Sequence, residues 1–162
     1  MKDPSLKQEF IQDFGEAYVS FGLPRLMGRI VGLLLCAKKP LSLDKITTEL
    51  GMSKGPVSQI MRRLRDHDLI QRVWIPGDRK DFYQAQPDIF GIAFRNHMQH
   101  MHNNLLLAQK YKEKINQVDP NGKIYFCARI KEMENFYQIM MKHYKNLLDE
   151  WRKINLSEKI KS

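Results

Sequence analysis

The sequence predicts a mainly α-helical chain with one small β-hairpin, on three observations. Apolar residues recur at helical spacing through most of the 162 positions. That period breaks after Leu69, where Ile70, Val73, Trp74 and Ile75 form a short run of good strand formers. Toward the C-terminus, apolar residues step alternately by four and three from Phe126 to Ile154, as in a helical seam.

Leu6, Phe10, Ile11, Phe14 and Tyr18 mark an amphipathic helix over residues 5–20. Gly22 and Pro24 break it, and Pro24 suits the first turn of a second helix reaching to about Lys38. From Ile30 to Ala37 this second helix is apolar nearly all round, which marks a core helix. Gly28 and Gly32 in it allow a neighbouring backbone to approach closely. Ser42 is an N-cap candidate for a short helix carrying Ile46 and Leu50 and stopped by Gly51. Ser53 is a second N-cap candidate, with Pro56 still inside the tolerated first turn. The helix that follows, Lys54 to about His67, brings Val57, Ile60, Met61 and Leu64 onto one face.

Two strands come next, from Ile70 to Ile75 and from Phe82 to just before Pro87, around the turn signal Pro76-Gly77-Asp78. Helix, tight turn, helix and hairpin together read as a winged helix-turn-helix, with Asp78, Arg79, Lys80 and Asp81 at the wing tip. A long helix then runs from Pro87-Asp88 to about Gln117, followed by a loop at Asp119-Pro120-Asn121-Gly122. The last helix starts at Lys123 and carries the strict seam Phe126, Ile130, Met133, Tyr137, Met140, Tyr144, Leu147, Trp151 and Ile154. Its predecessor has a looser one in Phe94, Met98, Met101, Leu105, Ala108, Tyr111 and Ile115. Two seamed helices outside a compact domain need a partner, and a homodimer supplies it with one interface. The expected organisation is an N-terminal helix over 1–22 supporting core and dimer, a winged helix-turn-helix domain over 23–86, and two long dimerisation helices over 87–162.

Composition narrows the function classes. A hydrophobic fraction of 43% with 28% charged residues is that of a soluble globular protein. The longest nearly unbroken apolar run, Ile30 to Ala37, is far short of the about 20 residues of a membrane span. The opening Met1-Lys2-Asp3-Pro4, followed by Glu9 and Asp13, lacks the apolar core of a signal peptide. Cys36 and Cys127 make no disulfide framework; Cys36 reads as a small core residue, and Cys127 lies off the seam. A cytoplasmic location without a membrane partner is expected. The 27 bases exceed the 18 acids by nine, and the surplus points to a polyanionic partner. It is unevenly spread: −2 over residues 1–22, +4 over 24–40, +3 over 53–81 and +4 over 120–162.

On the helix after Ser53 the arc opposite the apolar face holds Gly55, Ser58, Gln59, Arg62, Arg63 and Asp66, with Lys54 at its flank. Small residues allow close approach to a phosphate, hydroxyl and amide groups read base edges, and guanidinium groups take guanine or phosphate. Gly55 weakens a helix by about 1 kcal/mol relative to Ala, so close approach explains it better than propensity does.

Residues 24–85, most clearly SKGPVSQIMRRLRDHDLIQRVWIPGDRKDFYQA from Ser53 to Ala85, resemble the winged helix-turn-helix regulators of the MarR superfamily. Within it the GbsR-type branch is the most similar, sharing the SKG start of the recognition helix and a wing like VWIPGDRK. The resemblance implies that the helix lies in the major groove, so that Ser53, Lys54, Gly55, Ser58, Gln59, Arg62 and Arg63 meet DNA. Arg79 would enter the adjacent minor groove, with Asp78 and Lys80 orienting the tip and holding the backbone. It further implies a homodimer with interlocking terminal helices on a pseudo-palindromic operator in double-stranded DNA. A repressor with a small-molecule effector is expected, and choline-like compounds serve that role in some GbsR-type regulators. The rival reading is a winged-helix protein-interaction module, against which the outward Arg62, Arg63, Arg79 and Lys80 count.

No catalytic constellation is found: no Gly-rich phosphate loop, no nucleophile triad and no recognisable carboxylate pair. His97 and His102 point about 140° apart on a helix and cannot share an ion within one chain; His100 lies between them. Neither a metal nor a cofactor is expected.

Overall fold

The computed structural model describes residues 4–119 and 125–161, without the side chains of Pro4 and of 156–161. The chain divides into two compact units, Met1–Ile89 and Phe90–Ser162. The first holds α1 (Pro4–Ser20), α2 (Arg25–Leu35), β1 (Leu41–Ser42), α3 (Leu43–Leu50), α4 (Lys54–Asp66), β2 (Ile70–Val73) and β3 (Phe82–Ala85). The second is formed by α5 (Ile89–Val118) and α6 (Cys127–Lys161).

In the first unit α1 lies against α2 through glycines. A Cβ on Gly28 would stand 2.5 Å from the Phe14 carbonyl oxygen and 2.9 Å from the Gly15 Cα. Only hydrogen at Gly28 permits that backbone-to-backbone approach. Along α1, Ile11 is fully buried and Phe14 and Tyr18 are half-buried, whereas Leu6 and Phe10 stay exposed. Helix α2 is the core helix, buried from Ile30 to Leu34, but it ends at Leu35 and not near Lys38. Cys36 is its C-cap and is half-buried. Around α2 gather Ile46 of α3, Val57 and Leu64 of α4, and Ile70 of β2, all within 2% of complete burial.

The caps follow the local chemistry with one exception. The Ser42 hydroxyl accepts from the Lys45 N–H at 3.3 Å, and Gly51 closes α3 in the left-handed region at φ 63°. Arg29 adds to that end by donating through Nη2 to the Leu50 carbonyl at 3.0 Å. Ser53 occupies the N-cap position of α4 but makes no capping hydrogen bond, which corrects the expectation. After α4, Asp68 turns the chain at φ 55°, a region that Asp tolerates, and Leu69 donates to the Leu64 carbonyl at 2.8 Å.

The sheet has three strands in the order β1-β3-β2, all antiparallel. Val73 and Ser42 both stand opposite Phe82, and Ile70 opposite Ala85. Strand β1 is not foreseen by the sequence, because two residues have no period to read; its pairing comes from Phe82 and Tyr83 across the sheet. Strand β2 stops at Val73, leaving Trp74 exposed beyond the ladder. The hairpin turns through Pro76 and Gly77 (φ 85°), and Asp78 N–H donates to the Ile75 carbonyl at 3.2 Å.

In the second unit α5 and α6 run antiparallel. Phe94 meets the Tyr144 ring edge-on at 4.8 Å, Asn104 donates to the Tyr137 hydroxyl at 3.0 Å, and Lys112 pairs with the buried Glu134 at 2.6 Å. An apolar hollow of about 230 Å³ lies between Phe90, Gly91 and Phe94 of α5 and Leu147, Leu148 and Trp151 of α6. Of the expected loop at Asp119-Pro120-Asn121-Gly122 only Asp119 is described, and the Lys123 start of the last helix lies outside the described residues; Tyr125 and Phe126 form a turn before α6.

Candidate nucleic-acid interface

Helix α4 buries Val57, Ile60, Met61 and Leu64, and this leaves the other arc to solvent. Ser53, Lys54, Gly55, Gln59, Arg62 and Arg63 are exposed and Ser58 is half-buried. A Cβ on Gly55 would meet nothing within 4 Å, so no packing contact in the first unit requires glycine there. Arg63 and Arg65 fall in the last turn, where positive charge also favours the helix dipole.

The wing tip is a sharp, exposed structure. Lys80 N–H donates to Asp78 Oδ1 at 2.9 Å, closing a second small turn after Pro76-Gly77. Arg72 on β2 pairs with Asp81 at 2.6 Å and ties the base of the tip. Arg79 lies within this second turn and is exposed. Among the described residues Arg62, Arg63 and Arg79 have no ion-pair partner.

The two lysines behave otherwise. Asp44, in the first turn of α3, takes Lys54 Nζ on Oδ1 at 2.6 Å and Lys80 Nζ on Oδ2 at 3.5 Å. The start of α4 and the wing are thereby joined through a residue that sequence reasoning passed over. The hydrogen bond and charge of Lys54, with a smaller contribution from Lys80, hold the Asp44 carboxyl below the usual carboxylate range. No signal in the sequence singles it out, since its partners are remote in the chain.

Part of the positive surplus is structural. Arg25 pairs with Glu16 at 3.0 Å, and Arg29 serves the end of α3. Among the described residues Arg62, Arg63, Arg65 and Arg79 of α4 and the wing are left without an ion pair, as are Lys38 and Lys39 after α2 and lysines of the long helices such as Lys110, Lys142 and Lys145.

The α6 seam divides in two. Ile130, Tyr137, Tyr144 and Trp151 are half-buried, and Tyr137 and Tyr144 are engaged with α5 of the same chain. Phe126, Leu147 and Ile154 are about half exposed, whereas Met133 and Met140 on the same line are half-buried. Phe136 and Ile139 add apolar surface off the seam. His97 leans edge-on toward Tyr144 at 6.5 Å. Among the described residues no three His, Cys, Asp or Glu side chains gather to hold a metal, and no helix is long and apolar enough to cross a membrane.

No family model matches the chain. It is 32% identical over 94 residues to YvaV of Bacillus subtilis (strain 168), named as an HTH-type transcriptional regulator, covering 55% of this chain and 53% of that one. It is 31% identical over 84 residues to the HTH-type transcriptional repressor OpcR of the same organism, covering 52% and 45%. The chain thus spans about half the length of these two curated relatives. A crystal structure described as that of a transcriptional regulator superposes with a TM-score of 0.74 at 26% identity, over 91% of this chain and 98% of that one. The architecture is a winged helix-turn-helix, followed by two long helices, and its relatives are HTH-type transcriptional regulators.

Proposed function

We propose that the protein is a sequence-specific DNA-binding transcriptional regulator of the MarR type, in its GbsR-like branch, acting as a homodimeric repressor on a pseudo-palindromic operator. The observation that carries this is the set of arginines on α4 and at the wing tip, exposed and without an ion pair among the described residues. Cations that stabilise a fold are usually paired or capped, as Arg25 and Arg29 are here. Cations left open on a groove-sized helix and on an adjacent hairpin suit a duplex. The relatives' names support regulation, and one of them is named a repressor.

In this reading Gln59 and Arg62 or Arg63 read base edges, Ser53 and Gly55 let the helix N-terminus approach a phosphate, and Arg79 enters the minor groove. The uncommitted Ser53 hydroxyl, which caps nothing, is consistent with that role. The exposed apolar side chains of Phe126 and Leu147 on this line support it as the dimerisation surface. The hollow beside Trp151 is the place for an apolar or quaternary ammonium effector.

The test is recovery and sequencing of duplex fragments retained by the purified protein from a random pool. The expected result is an inverted repeat with half-sites one helical turn apart. Affinity for it should fall steeply with salt, and Arg62→Ala or Arg63→Ala should relax the preference at one position per half-site, at a cost of about 1–3 kcal/mol. A pool recovered without sequence preference, or not retained at all, moves the protein-interaction module ahead.

A further inference from the structure

Asp44 lies 10 residues before Lys54 and 36 before Lys80, on a helix of its own. Each of its carboxylate oxygens faces a different ammonium group, one from the first turn of α4 and one from the wing. Helix α3 does not need this carboxylate for its cap, because Ser42 supplies that. All three side chains are exposed, and exposed ion pairs contribute little to stability. The arrangement is that of a bound oxyanion: two negative oxygens held between the start of a recognition helix and its wing. We infer that the Asp44 carboxylate stands in for a backbone phosphate in the DNA-free protein and so weakens binding to every duplex alike, an assignment that rests on the DNA-binding reading above.

The opposition arises in either of two ways. A phosphate that takes Lys54 and Lys80 must break both ion pairs with Asp44, or it must settle beside a carboxylate of like charge. Neither depends on base sequence. The arginines differ: Arg62, Arg63 and Arg79 carry no such internal anion among the described residues. The cations suited to reading bases are thus open, while those suited only to phosphate are masked. Residence on random DNA is lowered by this arrangement without any change in the contacts that select a site.

Asp44→Asn removes the charge, keeps the side-chain shape, and leaves the backbone carbonyl that accepts from the Thr47 and Thr48 hydroxyls. Binding is measured for the wild type, for D44N, for Lys54→Ala/Lys80→Ala, and for the triple variant. Each is titrated with a recovered fragment and with a random duplex of equal length, at 50 and 200 mM salt. D44N should bind both duplexes tighter at 50 mM by the same factor, about three- to tenfold. That advantage should shrink by about 3.5-fold at 200 mM for each additional phosphate the variant neutralises, from the counterion slope of about −0.9 per phosphate. In the double-lysine background the same change should tighten binding by less than about twofold. Weaker binding by D44N would mean that the carboxylate positions the lysines and does not mask them. Unchanged binding, or an equal improvement without the lysines, would overturn the inference as well. If the wild type holds no duplex at 50 mM, the DNA-binding reading itself fails, and the stand-in role with it.

Discussion

Gly55→Ala separates what the fold requires from what a partner requires. Around a Cβ at that position there is open space to 4 Å, and Gly55 lies in the exposed first turn of α4. Replacing it should not disturb the first unit; removing a glycine from a helix should add up to about 1 kcal/mol of stability. The contrasting change is Gly28→Ala, where the added carbon would stand 2.5 Å from the Phe14 oxygen. Ordinary contact begins near 3.4 Å, so α1 would have to move by 3.4 − 2.5 = 0.9 Å, against backbone atoms that cannot rotate away. Such overpacking costs about 1–3 kcal/mol, partly offset by the helix preference of Ala. Thermal unfolding should therefore rise by a few degrees for Gly55→Ala and fall by up to about 15 °C for Gly28→Ala, at about 4–8 °C per kcal/mol for a unit of this size. If the bare backbone at Gly55 meets a phosphate, the added methyl overpacks that contact instead. Affinity for DNA should then drop by roughly 5- to 150-fold, equivalent to 1–3 kcal/mol, in a protein that is more stable than wild type. Fluorescence titration of a labelled duplex together with calorimetric melting measures both effects. Raised stability with unchanged affinity would refute close approach at Gly55, and lowered stability would refute the open space.

Three further outcomes are expected. Arg79→Lys should weaken binding to a site with A·T-rich flanks more than to one with G·C-rich flanks at equal salt, because a narrow minor groove favours the weakly hydrated, planar guanidinium; an equal loss on both flanks would assign Arg79 to phosphate alone. Leu147→Asp and Phe126→Asp place charge on surface that is about half exposed in one chain, so each should leave the protomer folded but dissociate a dimer that buries the seam, whereas Tyr144→Asp should also damage the pairing of α5 with α6; sedimentation that shows unchanged dimers for Leu147→Asp and Phe126→Asp would exclude this line from the interface. Glu49 is held below its ordinary range chiefly by the hydrogen bond from Lys7, then by that from Lys45, so its ion pairs contribute stability above the unfolded glutamate pKa of about 4.3 and lose it as pH falls through the lower folded value; Glu49→Gln should lower stability by about 0.2–1 kcal/mol at pH 7 and by progressively less in acid, and a constant difference down to pH 2 would contradict the pairing.

Where local chemistry decides structure, the sequence was legible. Gly51 ends α3 because its left-handed conformation favours glycine, and Val57, Ile60, Met61 and Leu64 face inward because their spacing leaves α4 one apolar side. The glycines of α2 announced a close helix contact, and Gly28 makes one with α1. Where partners are remote, the same reading stopped short. Strand β1 exists only because Phe82 and Tyr83 return beside it. Leu6 and Phe10 fit a helical stripe as well as Ile11 does, yet the part of α1 that meets α2 begins nearer Ile11, so they remain exposed. Ser53 has the right identity and backbone angles for a cap, but nothing local compels its hydroxyl to turn inward.

The seam on α6 shows why periodicity alone could not assign a partner. A repeat of four and three produces two adjacent lines on one helix, and each line can face a different neighbour. Tyr137 and Tyr144 belong to one line and meet α5 of the same chain through Asn104 and Phe94; Phe126, Leu147 and Ile154, about half exposed, belong to the other with the half-buried Met133 and Met140. An intramolecular hairpin and the proposed intermolecular interface can therefore share a single sequence pattern, and only the more exposed line could serve the second without undoing the first. Charge has the same ambiguity on α4 and the wing. Lysine and arginine count alike in a net charge, but Asp44 divides them, engaging Lys54 and Lys80, while Arg62, Arg63 and Arg79 have no ion-pair partner among the described residues. A surplus of nine positive charges says that a polyanion is attracted. Which cations are already spoken for by the protein's own carboxylates decides how much of that attraction a duplex can use, and that depends on pairings as far apart in the chain as Asp44 and Lys80.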